Sequence, residues 1–158
     1  MAKIFKNWDE LKEELTSIRK GKEVVLTNGC FDIVHLGHLR YLQNSAEAGD
    51  YLIVAVNSDE SVNRLKGDMR PINKLDERME FISYIKGVDF VTCFSGDTPY
   101  DLIKFIRPDV LVKGGDWPIE SIVGVDIVTA GGGRVESLKF EKGYSTTSII
   151  EKIVKIYC

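Results

Sequence analysis

The 158-residue chain carries only two histidines, three cysteines and four prolines, and it has no long uninterrupted apolar run. Cys30, Cys93 and Cys158 are odd in number and far apart, so neither a disulfide framework nor a zinc-type spacing is encoded. Cys93 reads as a core residue and Cys158 as a terminal thiol, and a reducing, cytoplasmic setting is the expectation. The first eight residues lack the apolar stretch of a signal peptide, and no segment approaches the length that spans a bilayer. A soluble protein with no membrane partner is therefore predicted. The charge balance, 21 Lys and Arg against 24 Asp and Glu, lacks the positive excess that drives binding to nucleic acid. Neither a helix-turn-helix nor an aromatic-basic signature points to nucleic acid. Gly-x-Gly-x-x-Gly after the first strand is also missing, which disfavours a dinucleotide oxidoreductase. The Walker-type Gly-x-x-x-x-Gly-Lys-Ser/Thr is absent too, which disfavours a P-loop kinase.

What is present fits one domain over residues 1–158, with 1–21 forming an N-terminal helix packed on the core. Trp8, Leu11, Leu15 and Ile18 recur at helical spacing, and Gly21 closes that helix. Short apolar runs at 24–27, 51–56, 88–93 and 109–112 read as buried strands, with a last strand at 134–138. Helices are predicted over 36–48, 59–65 and 75–86. Asp97-Thr98-Pro99 reads as a cap with proline in the first turn of another helix, which runs to about 106. The stretch 119–133, ending in three glycines, stays open. Ser145 to about Ile156 reads as a final helix with Ile149, Ile150, Ile153 and Val154 on its apolar side. The alternation predicts an α/β fold: a Rossmann-like, doubly wound, mostly parallel five-stranded sheet with helices on both faces. Ligands of such sheets bind beyond the carboxyl ends of the strands, where strand order switches.

Four polar, glycine-bearing clusters follow predicted strands. The first is Thr27-Asn28-Gly29-Cys30-Phe31-Asp32 with His35-Leu36-Gly37-His38. Gly29 permits close approach of phosphate, and the next helix offers free N–H groups and a positive dipole end. His35 and His38 share one turn, and Gly37 leaves room for a nucleotide between them, so the pair can hold charge that builds at an attacked phosphorus. Two capping or surface histidines are the bland alternative; that these are the chain's only two, after a glycine-bearing strand end, favours the functional reading. A metal site is disfavoured, because no third ligand lies nearby. The second cluster contains Lys66 beside Gly67, Arg70-Pro71, and Arg78 opening a helix. For Lys66 and Arg78 the sequence alone leaves phosphate contact and solvated surface charge both open, while Arg64 and Lys74 read as surface charges. The third is Lys113-Gly114-Gly115-Asp116-Trp117, where Asp116 could accept from a sugar hydroxyl and Trp117 alternatively lids the core. The fourth, Ser145-Thr146-Thr147, places hydroxyls at a helix N-terminus, a pattern equally suited to ordinary capping.

Taken in order, these clusters resemble the cytidylyltransferase-like family of HxGH nucleotidyltransferases. The matching stretches are Thr27–Asp32 with His35–His38, Val54–Asp59 with Arg64–Gly67 and Arg70–Ile72, Asp97–Pro99, Pro108–Asp116, and Ser145–Ile150. Within the family the resemblance runs to adenylyltransferases acting on D-glycero-β-D-manno-heptose 1-phosphate, which occur alone or as the C-terminal part of a bifunctional heptokinase–adenylyltransferase. Glycerol 3-phosphate cytidylyltransferases carry Arg-Thr-Glu-Gly where this chain has Phe140-Glu141-Lys142-Gly143, which points away from CTP. The resemblance implies that His35 and His38 stabilise the triphosphate in the transition state and that Lys66 and Arg78 contact its phosphates. It implies that Asn28, Gly29, Phe31, Gly37, Gly114, Asp116, Ser145, Thr146 and Thr147 line the nucleotide, with Asp32 and Lys113 on the acceptor side. ATP, a sugar phosphate and Mg²⁺ carried by the triphosphate are the implied substrates and cofactor, without a metal site of the protein's own. A homodimer is expected separately, because such a fold exposes apolar helices. Glycerol 3-phosphate cytidylyltransferase, FMN adenylyltransferase and a non-catalytic nucleotide-binding regulator are the alternatives.

Overall fold

The computed structural model describes residues 1–139 and 143–157. The Cys158 thiol and the Phe140–Lys142 stretch that separates this chain from the cytidylyltransferases lie outside them. Six strands form one sheet: β1 (Lys3–Phe5), β2 (Val24–Gly29), β3 (Tyr51–Asn57), β4 (Phe90–Phe94), β5 (Val110–Gly114) and β6 (Arg134–Leu138). Their order is β1-β4-β3-β2-β5-β6, and every pairing is parallel. The sheet therefore has one strand more than the five expected. The extra strand, β1, is three residues long and adds to the outer edge of β4, with Ile4 opposite Val91. Its shortness and edge position leave almost no period-two pattern to read.

Both faces of the sheet are covered, so side chains alternate between two apolar layers. On one face Val24, Leu26, Ile53, Ala55 and Leu111 pack against Leu11 and Leu15 of α1 (Trp8–Ile18). The same layer takes in Leu102, Ile103 and Ile106 of α5 (Tyr100–Ile106) and Val128 of α6 (Val125–Ala130). On the other face Val25, Leu52, Val54, Val56, Val110 and Val112 pack against α2 (Leu36–Ala46) and α4 (Leu75–Ser83), through Tyr41, Leu42, Met79 and Ile82. Burying a Leu or Ile side chain is worth about 1.5–3 kcal/mol, so these two layers carry the fold. α3 (Asp59–Lys66) follows β3 directly; Ser58 caps its start and Gly67, at φ +100°, ends it one residue after Lys66. The open stretch at 119–133 resolves into a 3₁₀ turn (Ile119–Ser121) and α6. α5 begins at Tyr100 with Pro99 as its cap residue, so the proline precedes the first turn rather than occupying it.

The final helix, α7 (Thr146–Tyr157), buries none of its residues. Its apolar side, which includes Ile153, Val154 and Ile156, is open. No helix among the described residues is long and apolar enough to cross a membrane.

Strand order reverses at the β2–β5 pair: β3 and β4 extend the sheet to one side of β2, and β5 and β6 to the other. A crevice opens at such a seam beyond the carboxyl ends of the two strands, which here are Asn28-Gly29 and Lys113-Gly114.

Candidate active site

Two connected cavities occupy that crevice. The first, about 370 Å³, is lined by the β2–α2 turn (Asn28 to Asp32), by His38 and Tyr41, and by Lys66, Arg70, Lys113, Gly114, Trp117, Thr146 and Thr147. The second, about 380 Å³, is walled by Asn57, Leu65, Asp97, Thr98, Pro99, Ser121, Ile122 and Val123. They meet along Asn28, Gly29, Cys30, Lys66, Lys113 and Trp117, which line both.

The turn that enters the first lobe is tightly built. Phe31 is buried in the left-handed region at φ 47°, with its ring packed where a Cβ on Gly29 would stand, 2.9 Å away. The Phe31 ring thus leaves no room for a side chain at residue 29. The Phe31 ring meets His38 edge-on at 5.3 Å, and His38 stacks on His35 with centroids 3.8 Å apart and planes 19° from parallel. His35 stands at the cap position of α2, and its carbonyl accepts from His38 N–H at 2.9 Å. Both Nδ1 atoms are buried without a hydrogen-bond partner among the described residues. A buried polar atom left unpaired costs stability, which marks the pair as kept for something other than folding. Burial, reinforced by the neighbouring His35, pushes the His38 pKa down to about 4; burial also holds His35 below its ordinary value. The pair is therefore neutral near pH 7, and an anion beside it raises its proton affinity.

The cations come from opposite sides of the seam. Lys66 sits at the C-terminal end of α3. Lys113, near the end of β5, donates to Asn28 Oδ1 at 3.1 Å, and burial holds its pKa below the ordinary lysine value. Behind the lobe, Tyr41 OH and Thr27 Oγ1 share a 2.5 Å hydrogen bond. Burial, partly countered by bonds from Thr27 and Ser45, pushes the phenol up to about 12.

Several residues expected at the ligand are placed otherwise. Arg78 is fully buried and lines neither lobe. Its Nε donates to Asn73 O at 3.0 Å, Nη1 to Cys30 O at 2.6 Å, and Nη2 to Asp59 Oδ1 at 2.8 Å. With every nitrogen engaged, it ties the β2–α2 turn and the segment before α4 to the start of α3. Asp32 faces the first lobe but is only 2% exposed, and both its carboxylate oxygens are taken by residues 70–73. The space over Gly37 is filled by Tyr144 Cβ, which would lie 2.9 Å from an added Cβ, so this glycine admits the approach to α7. Asp116 is exposed and lines neither lobe. Ser145 Oγ accepts from Ser148 N–H at 3.0 Å and acts as a cap, leaving Thr146 and Thr147 at the cavity. His35 reaches the lobe only through His38. Tyr41, which the sequence pattern does not single out, backs the first lobe from α2, whereas Asn57 and Thr98, each inside a stretch the resemblance matches, line the second.

An uncommitted pair of imidazoles, two lysines and a helix N-terminus, converging at the switch point of a doubly wound sheet, define a nucleotidyltransferase site. The chain belongs to the Cytidylyltransferase-like family, whose model matches residues 26–152. It is 54% identical over 144 residues to the bifunctional protein HldE of Marinomonas sp., covering 91% of this chain and 30% of that protein. To the bifunctional protein HldE of Shewanella loihica it is 57% identical over 135 residues, covering 85% and 28%. The chain thus spans about 30% of the length of these curated relatives. Among solved structures, it resembles the lipopolysaccharide core biosynthesis protein from Thermoplasma volcanium, with TM-score 0.60 and 29% identity over 79% of this chain and 100% of that one. A pantoate–β-alanine ligase from Francisella tularensis shares the fold, with TM-score 0.65 and 15% identity over 99% and 78%.

Proposed function

We propose that this chain transfers the adenylyl group of ATP to a sugar 1-phosphate, D-glycero-β-D-manno-heptose 1-phosphate, giving ADP-heptose and pyrophosphate for lipopolysaccharide or a related surface glycan. The observation that carries the reading is the stacked His35–His38 couple with unpaired Nδ1 atoms, whose His38 lines a lobe with Lys66, Lys113, Thr146 and Thr147. The strong identity to HldE proteins and the likeness to a lipopolysaccharide core biosynthesis protein support the acceptor.

In this reading the first lobe takes ATP and the second takes the sugar, with the two phosphates meeting at Lys66 and Lys113. An acceptor phosphate oxygen attacks the α-phosphorus of ATP; the new P–O bond forms as the bond to the β-phosphate oxygen breaks, and pyrophosphate leaves. The nucleophile is already anionic, so no general base is assigned. The protein supplies position and positive potential in a site partly shielded from water. Mg²⁺ enters as part of the substrate and neutralises charge on the phosphate chain. The second lobe pairs Asn57, Asp97, Thr98 and Ser121 with the apolar Leu65, Pro99, Ile122 and Val123, a wall suited to a polyhydroxylated ring with an apolar face. A homodimer belongs to the same reading, supported by the open apolar side of α7.

The test is Mg²⁺-dependent pyrophosphate release with four nucleoside triphosphates against heptose 1-phosphate, glycerol 3-phosphate and FMN. ATP with heptose 1-phosphate should give the highest kcat/KM. Preference for CTP with glycerol 3-phosphate, or for ATP with FMN, would replace the acceptor assignment. Nucleotide binding without turnover for any pair would make the chain a regulator.

A further inference from the structure

The first lobe presents a guanidinium that neither the sequence pattern nor the family resemblance placed at the ligand. Arg70 lines that lobe beside His38, Lys66 and Thr146, and its side chain keeps 21% of its surface exposed. Its Nε donates to Asp32 Oδ2 at 2.5 Å, and neither Nη atom has a partner among the described residues. The carboxylate that grips it is itself fixed. Asp32 Oδ1 accepts from Ile72 N–H at 2.8 Å and Asn73 N–H at 2.9 Å, while Asn73 Nδ2 donates to Asp32 O at 2.5 Å. Burial alone would raise the Asp32 pKa, but these backbone bonds and Arg70 outweigh it and hold the carboxyl below its ordinary value. A guanidinium held by Nε leaves its Nη1–Nη2 edge free as a planar fork, the shape that pairs two oxygens of one phosphate. Arg78, with all three nitrogens bound to protein, offers no such edge.

We propose that Arg70 binds the polyphosphate of the nucleotide through its free Nη edge, and that Asp32 is the positioning residue that aims it. The inference rests on reading the first lobe as the triphosphate's. Three observations point to phosphate as the partner. Lys66 and Lys113 share the lobe with Arg70, and Asp32, the one carboxylate that lines it among the described residues, is consumed by its own hydrogen bonds. Thr146 and Thr147 bring the N-terminus of α7 to the same space. Arg70 does not line the second lobe, so its ligand is the nucleotide and not the acceptor.

Calorimetric titration with inorganic tripolyphosphate and, separately, with adenosine tests this on the intact chain without any acceptor. Arg70→Met should weaken tripolyphosphate by on the order of 10–100-fold, the worth of a charge-assisted pair, and leave adenosine within about twofold. Arg70→Lys, which keeps the charge but loses the fork, should fall between Met and wild type. Asp32→Asn keeps an oxygen for the Ile72 and Asn73 N–H groups but turns an amide toward Arg70 Nε, so it should lose part of the tripolyphosphate affinity. The double variant should be no weaker than Arg70→Met, because residues acting through one contact are non-additive. Tripolyphosphate binding by Arg70→Met within about twofold of wild type would overturn the role of Arg70. Losses that multiply in the double variant would overturn the positioning role of Asp32. Absence of tripolyphosphate binding in the wild type would overturn the phosphate reading of the lobe itself. An incorrect acceptor would leave all of these titrations unchanged and would appear only in the pyrophosphate-release screen.

Discussion

Acidification should destabilise this protein through His38, by an amount that can be worked out. The folded pKa is about 4 against an ordinary 6.5, because burial and the adjacent His35 disfavour the imidazolium. The unfolded chain therefore binds more protons than the folded chain between those two values, so stability falls as pH drops through the window and is retained above it. For a two-state protein, the linkage gives a loss of about 2 kcal/mol between pH 7 and pH 5 from this residue alone. A His38→Asn variant removes the titrating group while keeping a polar side chain of similar reach. Urea unfolding followed by the fluorescence of Trp8 and Trp117 should show wild type losing about 2 kcal/mol more than the variant over that interval. Carboxylate titrations are common to both proteins and cancel in the difference. Parallel losses in the two proteins would refute the argument that His38 is buried neutral. With tripolyphosphate present the wild-type loss should shrink, since an anion at the imidazole raises its folded pKa.

Further tests address other parts of the site. Arg78→Met should lower stability by about 3–5 kcal/mol in urea unfolding, because it leaves Asp59 and the part-buried carbonyls of Cys30 and Asn73 without the guanidinium; Arg78→Lys should recover only part of this. A loss below about 1 kcal/mol would contradict the bracing role. Tyr41→Phe, which removes the 2.5 Å bond to Thr27 behind the first lobe, should cost about 1 kcal/mol and leave KM for ATP unchanged; a raised KM would place Tyr41 at the ligand. Asp97→Ala should raise KM for the sugar phosphate several-fold with KM for ATP unaltered. The reverse pattern in steady-state kinetics would exchange the two lobes.

The parts of the fold legible in the sequence were those where a local pattern and a buried environment coincide. Residues 24–26 and 51–56 are apolar on both faces because both faces are covered, and they stand out as short runs bounded by polar and glycine residues. The histidine turn was legible because its chemistry lies within four consecutive residues. β1 was not, since its three residues are strand only through pairing with β4, more than eighty positions away. Charged residues were least legible. Arg64, Arg70 and Arg78 look alike in sequence, yet Arg64 pairs at the surface with Asp97, Arg70 faces the cavity and Arg78 is sealed inside. What separates them is the disposition of Asp32, Asp59 and Cys30, which only the assembled sheet brings into range. The apolar side of α7 was read from spacing as well, but its covering cannot be read from periodicity, and in the structure that side is open.

The seam between β2 and β5 has a consequence for how such a protein can change. The bond-making machinery hangs from the β2–α2 turn and the start of α7, while the outer wall of the second lobe is drawn from the loop before α5 and the 3₁₀ turn after β5. These suppliers are separate segments, anchored to different strands, and the lobes they build meet along Asn28, Gly29, Cys30, Lys66, Lys113 and Trp117. The exposed residues 97, 98, 121 and 123 can therefore drift or be exchanged without disturbing the histidine stack, while Pro99 and Ile122 stay tied to the core. A library confined to those four exposed positions should yield new acceptor preferences on an unaltered transfer reaction, which makes this end of the sheet a natural place to retrain the enzyme.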